Sequence, residues 1–207
     1  MRILVACEFS GTVRDAFLRS GHYAISCDLV PSDSDFGEHY QGDVFDIIND
    51  GWDMMIAHPP CTYLTNAGIA WFNEDKYGEK ARIRKQLRLE AMSFVDKLWK
   101  SKVEKVCIEN PVGYLNRNWM KPTQTIQPWQ FGEEESKRTC LWIRGLPTLK
   151  PTNIVSPKIY RYVKNPGANF GRPVYLVQYG DLGGDNRKKR RNTFFVGIAN
   201  AMAEQWG

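Results

Sequence analysis

Residues 2–7 form an almost unbroken apolar run that ends in Glu8-Phe9-Ser10-Gly11-Thr12. A run of this kind before a small-residue turn predicts a strand buried on both faces, as in a parallel sheet. The period then changes. Val13, Ala16 and Phe17 recur at helical spacing and Gly21 stops them, which predicts a short helix over 13–20. A second strand is expected over 23–27, ending at Asp28, and a third short one closing at Gly42-Asp43, followed by a helical turn over 45–49. Residues 53–57 are the fourth strand and lead into His58-Pro59-Pro60-Cys61. Two prolines remove ladder donors and force the chain out of the sheet, so Cys61 is expected in a loop at the carboxyl end of a strand.

The clearest helix is expected over 79–100, with Ile83, Leu87, Ala91, Phe94, Val95 and Leu98 on one apolar face and Arg82, Arg84, Lys85 and Arg88 crowding its early turns. A fifth strand over 105–108 stops at Glu109-Asn110-Pro111, a further strand is expected over 139–143, and a terminal helix over 198–205. Strands alternating with helices predict an α/β fold with a mainly parallel sheet. There is no internal repeat, and the basic, glycine-containing stretch 183–191 reads as a mobile segment.

Charge and cysteine usage sharpen the picture. The net charge is +5, but residues 150–191 hold ten Lys/Arg against two Asp, a net +8, which leaves −3 for the remainder. Basic character concentrated late in the chain is what a segment meeting a polyanion carries, although a solvated loop has the same composition. Five scattered cysteines with no CxxC spacing argue against a disulfide framework and a zinc site, and point to a reducing cytoplasm. No stretch approaches the ~20 apolar residues of a membrane span. The N-terminal apolar run is too short for a signal peptide.

In a parallel α/β sheet, ligands bind outside the carboxyl ends of the strands. Four expected strand ends carry chemistry: Phe9-Ser10-Gly11, Asp28, His58-Pro59-Pro60-Cys61 and Glu109-Asn110. Gly11 permits close approach of backbone to a ligand. Asp28 stands where nucleoside-binding Rossmann folds place an acid for ribose hydroxyls, though it suits a helix cap equally. A cysteine in a Pro-Pro turn is poor core filler, whereas Cys7, Cys27, Cys107 and Cys140 lie in or beside apolar strands and read as core thiols. Glu109, behind an apolar strand, is expected to be partly desolvated with a raised pKa that suits proton donation; the plainer reading pairs it with a basic neighbour such as Lys105.

These residues resemble a known family. The string from Asp53 through His58-Pro59-Pro60-Cys61-Thr62 to Gly68 resembles the catalytic loop of DNA cytosine-5 methyltransferases, and Ile108-Glu109-Asn110 resembles the family's Glu-Asn motif. Phe9-Ser10-Gly11 resembles its Phe-x-Gly cofactor motif and Gly42-Asp43-Val44 its Gly-Asp-Ile motif. Ser136-Lys137-Arg138-Thr139 loosely resembles the motif carrying a catalytic arginine, and residues 194–206 a shortened last motif. The motifs fall in the family's order over most of the chain, in a compact form similar to that of small phage-encoded members.

The resemblance implies a Rossmann-like S-adenosylmethionine-dependent methyltransferase fold acting on DNA. Cys61 is then the nucleophile that adds to cytosine C6, Glu109 the acid at N3 and Arg138 the contact to O2. Phe9, Ser10, Gly11, Asp28, Leu29, Asp43, Val44 and Pro59 are the candidate cofactor residues. Thr62, Thr65, Asn66, Lys137, Arg161, Lys164, Arg187, Lys188, Lys189, Arg190 and Arg191 are the candidate DNA contacts. A target base must leave the duplex to reach such a pocket. Residues 1–150 are expected to form the catalytic domain, 151–191 a small basic DNA-contacting region with short sequence specificity, and 192–207 a helix returning to the catalytic domain. The cytoplasm, the host's for a phage-encoded chain, is the expected location. Monomer and homodimer both stay open.

Three departures from the family stand out. The glycines usual after the Phe-x-Gly turn are replaced by Thr12-Val13-Arg14, and Arg14 there would suit a methyl donor bearing an extra carboxylate. Pro111 follows Glu109-Asn110, and the target-recognition region is reduced to about residues 152–191. Readings that keep the scaffold are a modified donor, a free nucleotide substrate, and a catalytically silent DNA-binding protein. An amino-methyltransferase also uses a Pro-Pro turn, but cysteine is the residue that C5 chemistry demands.

Overall fold

The computed structural model describes residues 1–163, 171–175 and 194–207. Its centre is a seven-stranded sheet in the order β3-β2-β1-β4-β5-β7-β6. The strands are β1 (Arg2–Ala6), β2 (Tyr23–Asp28), β3 (His39–Gln41), β4 (Met54–Ala57), β5 (Lys105–Pro111), β6 (Gln124–Ile126) and β7 (Thr139–Arg144). β1 to β5 are parallel, while β7 runs antiparallel to both β5 and β6. This is the mainly parallel, Rossmann-like α/β sheet expected from the sequence. The direction of winding reverses between β1 and β4, which creates a crevice at their carboxyl ends.

Both faces of the sheet are covered, which is why its strands read as continuous apolar runs. Ile3, Val5, Met54, Ile56, Cys107, Leu141 and Ile143 point to one side, where α1 (Thr12–Arg19) and the terminal helix α6 (Val196–Trp206) pack. Leu4, Ala6, Met55, Ala57, Val106, Ile108, Cys140 and Trp142 point to the other, over α2 (Val44–Ile47) and α4 (Glu79–Trp99). A 3-10 helix over Asn66–Phe72 and a short α3 (Glu74–Tyr77) connect β4 to α4, and α5 (Leu115–Asn118) follows β5.

The expected apolar face of α4 is corrected at its start. Ile83 is 52 % exposed, and the helix buries Val95 and Leu98 instead, with Ala81 as its one buried residue near the beginning. The early turns of α4 lie against α3 and the 3-10 helix rather than the sheet, so the sheet-facing stripe begins later. Besides the short helices after β4 and β5, the strand β6 and a hairpin of β8 (Ile159–Tyr162) with β9 (Pro173–Tyr175) were not expected. The segment before β8 is tied to the domain by Val155 N–H to the Trp129 carbonyl (2.9 Å) and Lys158 N–H to that of Glu134 (2.8 Å). The stretch 183–191 lies outside the described residues. No helix among the described residues is long and apolar enough to cross a membrane.

Candidate active site

Cys61 lies on the loop that leaves β4, and the loop is pinned on three sides. Its start is held to the sheet by His58 N–H donating to the Ala6 carbonyl at 2.9 Å. The Asn110 side-chain amide, buried at the tip of β5, donates to the Pro59 carbonyl at 2.8 Å. The Cys61 carbonyl then accepts from Leu64 and Thr65, each at 2.9 Å, so the chain turns sharply at the cysteine. Beyond the turn, Leu64 is fully buried, its carbonyl accepts from Tyr114 N–H at 2.7 Å, and Thr65 bridges Gly113. Gly113 has no room for a side chain, because a Cβ there would lie 2.1 Å from the Leu64 carbonyl oxygen.

The third side is α4. Arg88 Nε donates to the Tyr63 carbonyl at 2.9 Å and Arg84 to the Thr62 carbonyl at 3.4 Å. Their guanidinium groups also pack on rings, Arg84 over Tyr63 and Phe72, Arg88 over Phe72 and Tyr114. Sequence reasoning saw only a basic cluster here. The four-residue spacing of Arg84 and Arg88, one face of a helix, was the signal available. Arg82 and Lys85 instead pair with Glu74.

Glu109 stands on the neighbouring strand tip, 7 % exposed, and Oε1 is buried without a partner among the described residues, as is Asn110 Oδ1. Its other oxygen, Oε2, lies 3.3 Å from His58 Nδ1. The expected raised pKa is corrected. Burial is the largest single influence and acts upward, but the His58 hydrogen bond, the Lys137 cation and the His58 charge together outweigh it and hold the carboxyl below its ordinary value. The basic neighbours are therefore His58 and Lys137 rather than Lys105. Lys137 is half-buried and also lies over the Phe195 ring, 5.7 Å from its centroid, whereas Arg138 is exposed.

A cavity of about 690 Å³ opens beside the loop. Its walls come from the ends of β1 and β2 (Cys7, Cys27, Asp28, Leu29), the start of α2 (Gly42, Asp43, Val44), the loop (Pro60, Thr62, Tyr63) and α4. Asp28, Leu29, Asp43 and Val44 are thus brought together as expected. Asp43 also caps α2 by accepting from Phe45 N–H at 3.0 Å. The expectation of a core thiol is corrected for Cys7, which takes a left-handed conformation (φ 58) and lines the cavity with Cys27. Both thiols are held protonated: burial and the nearby Asp28 push Cys27 up to about 12 and Cys7 further.

Phe9, Ser10, Gly11 and Pro59 do not line this cavity. Pro59 is buried beneath the Asn110 clamp. Gly11 does adopt a conformation suited to glycine (φ 72), but a Cβ there would meet the Arg14 guanidinium at 2.6 Å and Ser34 at 2.9 Å. Its close approach is to the protein's own loop, which also bonds the Phe9 carbonyl through Asp33 N–H at 2.8 Å. Arg14 itself is fully buried. It bonds Asp15 Oδ1 (2.8 Å), Ser26 Oγ (3.0 Å), Ser32 Oγ (3.4 Å) and the carbonyls of Ser34 (3.0 Å) and Glu38 (3.3 Å). The role suggested for Arg14 toward an extra carboxylate on the donor is therefore overturned: its donors are already committed inside the fold.

Of the candidate DNA contacts, Thr62 and Asn66 are exposed beside Cys61, and Thr65 is half-buried in its bridge to Gly113. Arg161 lies on β8. Lys164, Arg187, Lys188, Lys189, Arg190 and Arg191 lie outside the described residues.

No protein-family model and no curated protein matches the chain. Solved structures are similar to it, two of them as follows. One is a candidate DNA modification methyltransferase encoded within an E. coli prophage, 16% identical, with a TM-score of 0.47 over 75% of this chain and 52% of its own. The other is a mutant of Spodoptera frugiperda DNMT2, 18% identical, with a TM-score of 0.42 over 76% of this chain and 57% of its own. The chain therefore spans little more than half the length of either.

Proposed function

We propose that this protein is a DNA methyltransferase of the cytosine-5 type, with S-adenosylmethionine as donor and Cys61 as nucleophile. The observation that carries the reading is the pairing of two adjacent strand tips. The Cys61 loop and Glu109 leave β4 and β5 side by side, locked together by Asn110 and Pro59, next to a cavity lined by the carboxylates Asp28, Asp43 and Glu90.

The cavity fits the donor in size and lining. At 690 Å³ it lies within the ~300–1,000 Å³ of small-molecule sites. Leu29, Val44, Ala91 and Phe94 offer apolar surface to an adenine ring, and Asp28 and Asp43 offer acceptors to ribose hydroxyls and the adenine amine. When bound, the donor supplies an electrophilic methyl carbon beside the loop.

Carbon 5 of cytosine is a poor nucleophile until C6 is attacked. The Cys61 thiolate forms a C–S bond to C6, the displaced electron pair moves toward N3, and N3 takes a proton delivered through Glu109. The resulting enamine carbon, C5, would bond the methyl carbon as that carbon's bond to the donor's sulfonium sulfur breaks, the electron pair staying on sulfur and S-adenosylhomocysteine leaving. A base then removes the C5 proton, N3 returns its proton, and the thiolate leaves as the C5–C6 double bond re-forms. Arg138, exposed beside the half-buried Lys137, is the residue that the resemblance gives for the contact to cytosine O2. The net +8 of residues 150–191 supports a polyanionic substrate over a free nucleotide.

The test is transfer from labelled S-adenosylmethionine to cytosine-containing duplex DNA, with nucleosides resolved by mass spectrometry. The expected product is 5-methylcytosine, absent with Cys61→Ala. Measurable binding of cofactor and DNA without modified cytosine overturns the reading.

A further inference from the structure

We infer that His58 is the positioning residue that stores the proton Glu109 passes to cytosine N3. The inference rests on the function proposed above. It starts from a conflict in the site: an acid at N3 must carry a proton, yet the surroundings of Glu109 favour its carboxylate.

The geometry supplies a source for that proton. Register places the tips of β1, β4 and β5 side by side, since Ala6 pairs with Ala57 and Ala57 with Ile108. One residue outward on β4 and β5 stand His58 and Glu109, with Cys7 at the same level on β1, and the Glu8 carboxyl one residue further on lies close enough to feel the His58 charge. His58 Nδ1 lies 3.3 Å from Glu109 Oε2, with the two side chains only 12% and 10% exposed. The Phe194 ring covers the imidazole at a centroid separation of 4.6 Å, and Nε2 is buried without a partner among the described residues. A histidine packed this way is shielded from solvent exchange and committed to its carboxylate neighbours.

Among the described residues, the charged groups facing this pair each have an identifiable part. Glu8, on the β1 side, is fully buried. Burial raises its pKa, while the His58 charge and hydrogen bonds from Val13 and Arg14 N–H, together with the Arg14 charge, act downward. Lys137 acts on Glu109 from the segment before β7. The cycle begins with one proton on the Nδ1–Oε2 contact. As the thiolate adds to C6 and N3 gains basicity, the proton crosses from Nδ1 to Glu109. A half-turn about the soft terminal torsion of the carboxyl presents it to N3. When the thiolate leaves, N3 gives the proton back along the same path, so the pair ends each turnover as it began.

The test uses the whole protein and compares wild type, H58Q, H58N and C61A in the transfer assay across pH, with melting temperature as the folding control. Glutamine and asparagine keep an N–H donor for Glu109 but hold no titratable proton. For H58Q, or H58N should H58Q not fold, kcat is expected to fall about 10–100-fold. KM for DNA should stay unchanged, and the alkaline limb of the kcat profile should move about one pH unit or more toward acid. Added imidazole should restore part of the rate to H58A. A folded variant whose rate falls equally at all pH values, or does not fall, overturns the role of His58 and leaves the proposed function standing. Wild-type protein that makes no 5-methylcytosine overturns both.

Discussion

The contact between Gly113 and the Cys61 loop gives the most exacting prediction. A methyl group at position 113 would sit 2.1 Å from the Leu64 carbonyl oxygen and 3.0 Å from Thr65 Cα, both backbone atoms. Ordinary contact begins near 3.4 Å, so something must give by about 1 Å, and no flexible side chain is there to absorb it. The Gly113 side is held by its N–H to Asn116 Oδ1 at 2.9 Å and by the strand β5 behind it. The Cys61 loop, an excursion from β4, is the softer partner and moves. A displacement of about 1 Å at the reacting group costs ~10²-fold in rate, and the overpacking costs about 1–3 kcal/mol of stability. Gly51→Ala is the control: its φ of 75 strains an alanine by about 1 kcal/mol, but nothing lies within 4 Å of the added Cβ. Both variants should melt earlier, and only Gly113→Ala should lose transfer activity when both are assayed well below their melting temperatures. A Gly113→Ala protein with wild-type kcat would refute the claim that this contact sets the loop.

Three further outcomes are expected. Asn110→Ala leaves the Pro59 carbonyl without its buried donor and should cost about 1–3 kcal/mol by denaturant unfolding, with a larger loss of transfer activity than of cofactor affinity. Arg14→Met breaks a buried ion pair and leaves the Asp15 carboxylate, which keeps the Ser34 hydroxyl, without its cation, so a loss of about 3–5 kcal/mol is expected; a near-neutral result would contradict the committed network around Gly11. Glu109 has a lowered pKa in the folded protein, so its stabilising contribution is fully present above the unfolded carboxyl's pKa and is lost as pH falls through the folded value. Melting temperature should therefore fall more steeply on acidification in wild type than in Glu109→Gln, with Glu8 common to both.

What the sequence displayed was local in origin. The unbroken runs at 2–7 and 53–57 announced doubly covered strands, and the prolines at 59 and 60 announced a loop carrying Cys61, because proline and apolar period act within a few residues. The cavity residues Asp28 and Asp43 were legible for the same reason, each sitting at the end of a recognisable element. What escaped was set by residues far apart in the chain. The ionisation of Glu109 depends on His58, 51 positions earlier, and on Lys137. Arg14 read as a ligand contact because its partners, from Ser26 to Glu38, reach it only through the folding of a polar loop. The roles of Arg84 and Arg88 needed the loop carbonyls that α4 happens to face. The β8–β9 hairpin has short strands and little apolar alternation, so no period betrayed it.

The central claim is the covalent bond from Cys61 to cytosine C6, and trapping it is the most direct test. In DNA carrying 5-fluorocytosine the final loss of the C5 substituent as a cation is blocked, so an adduct formed on the way to product cannot resolve. Wild-type protein, S-adenosylmethionine and such DNA should give a denaturation-resistant complex, and digestion with peptide mass spectrometry should place the modified, methylated fluorocytosine on Cys61, with no complex from Cys61→Ala. A complex mapped to another residue, or no complex under conditions where both cofactor and DNA bind, would contradict the account.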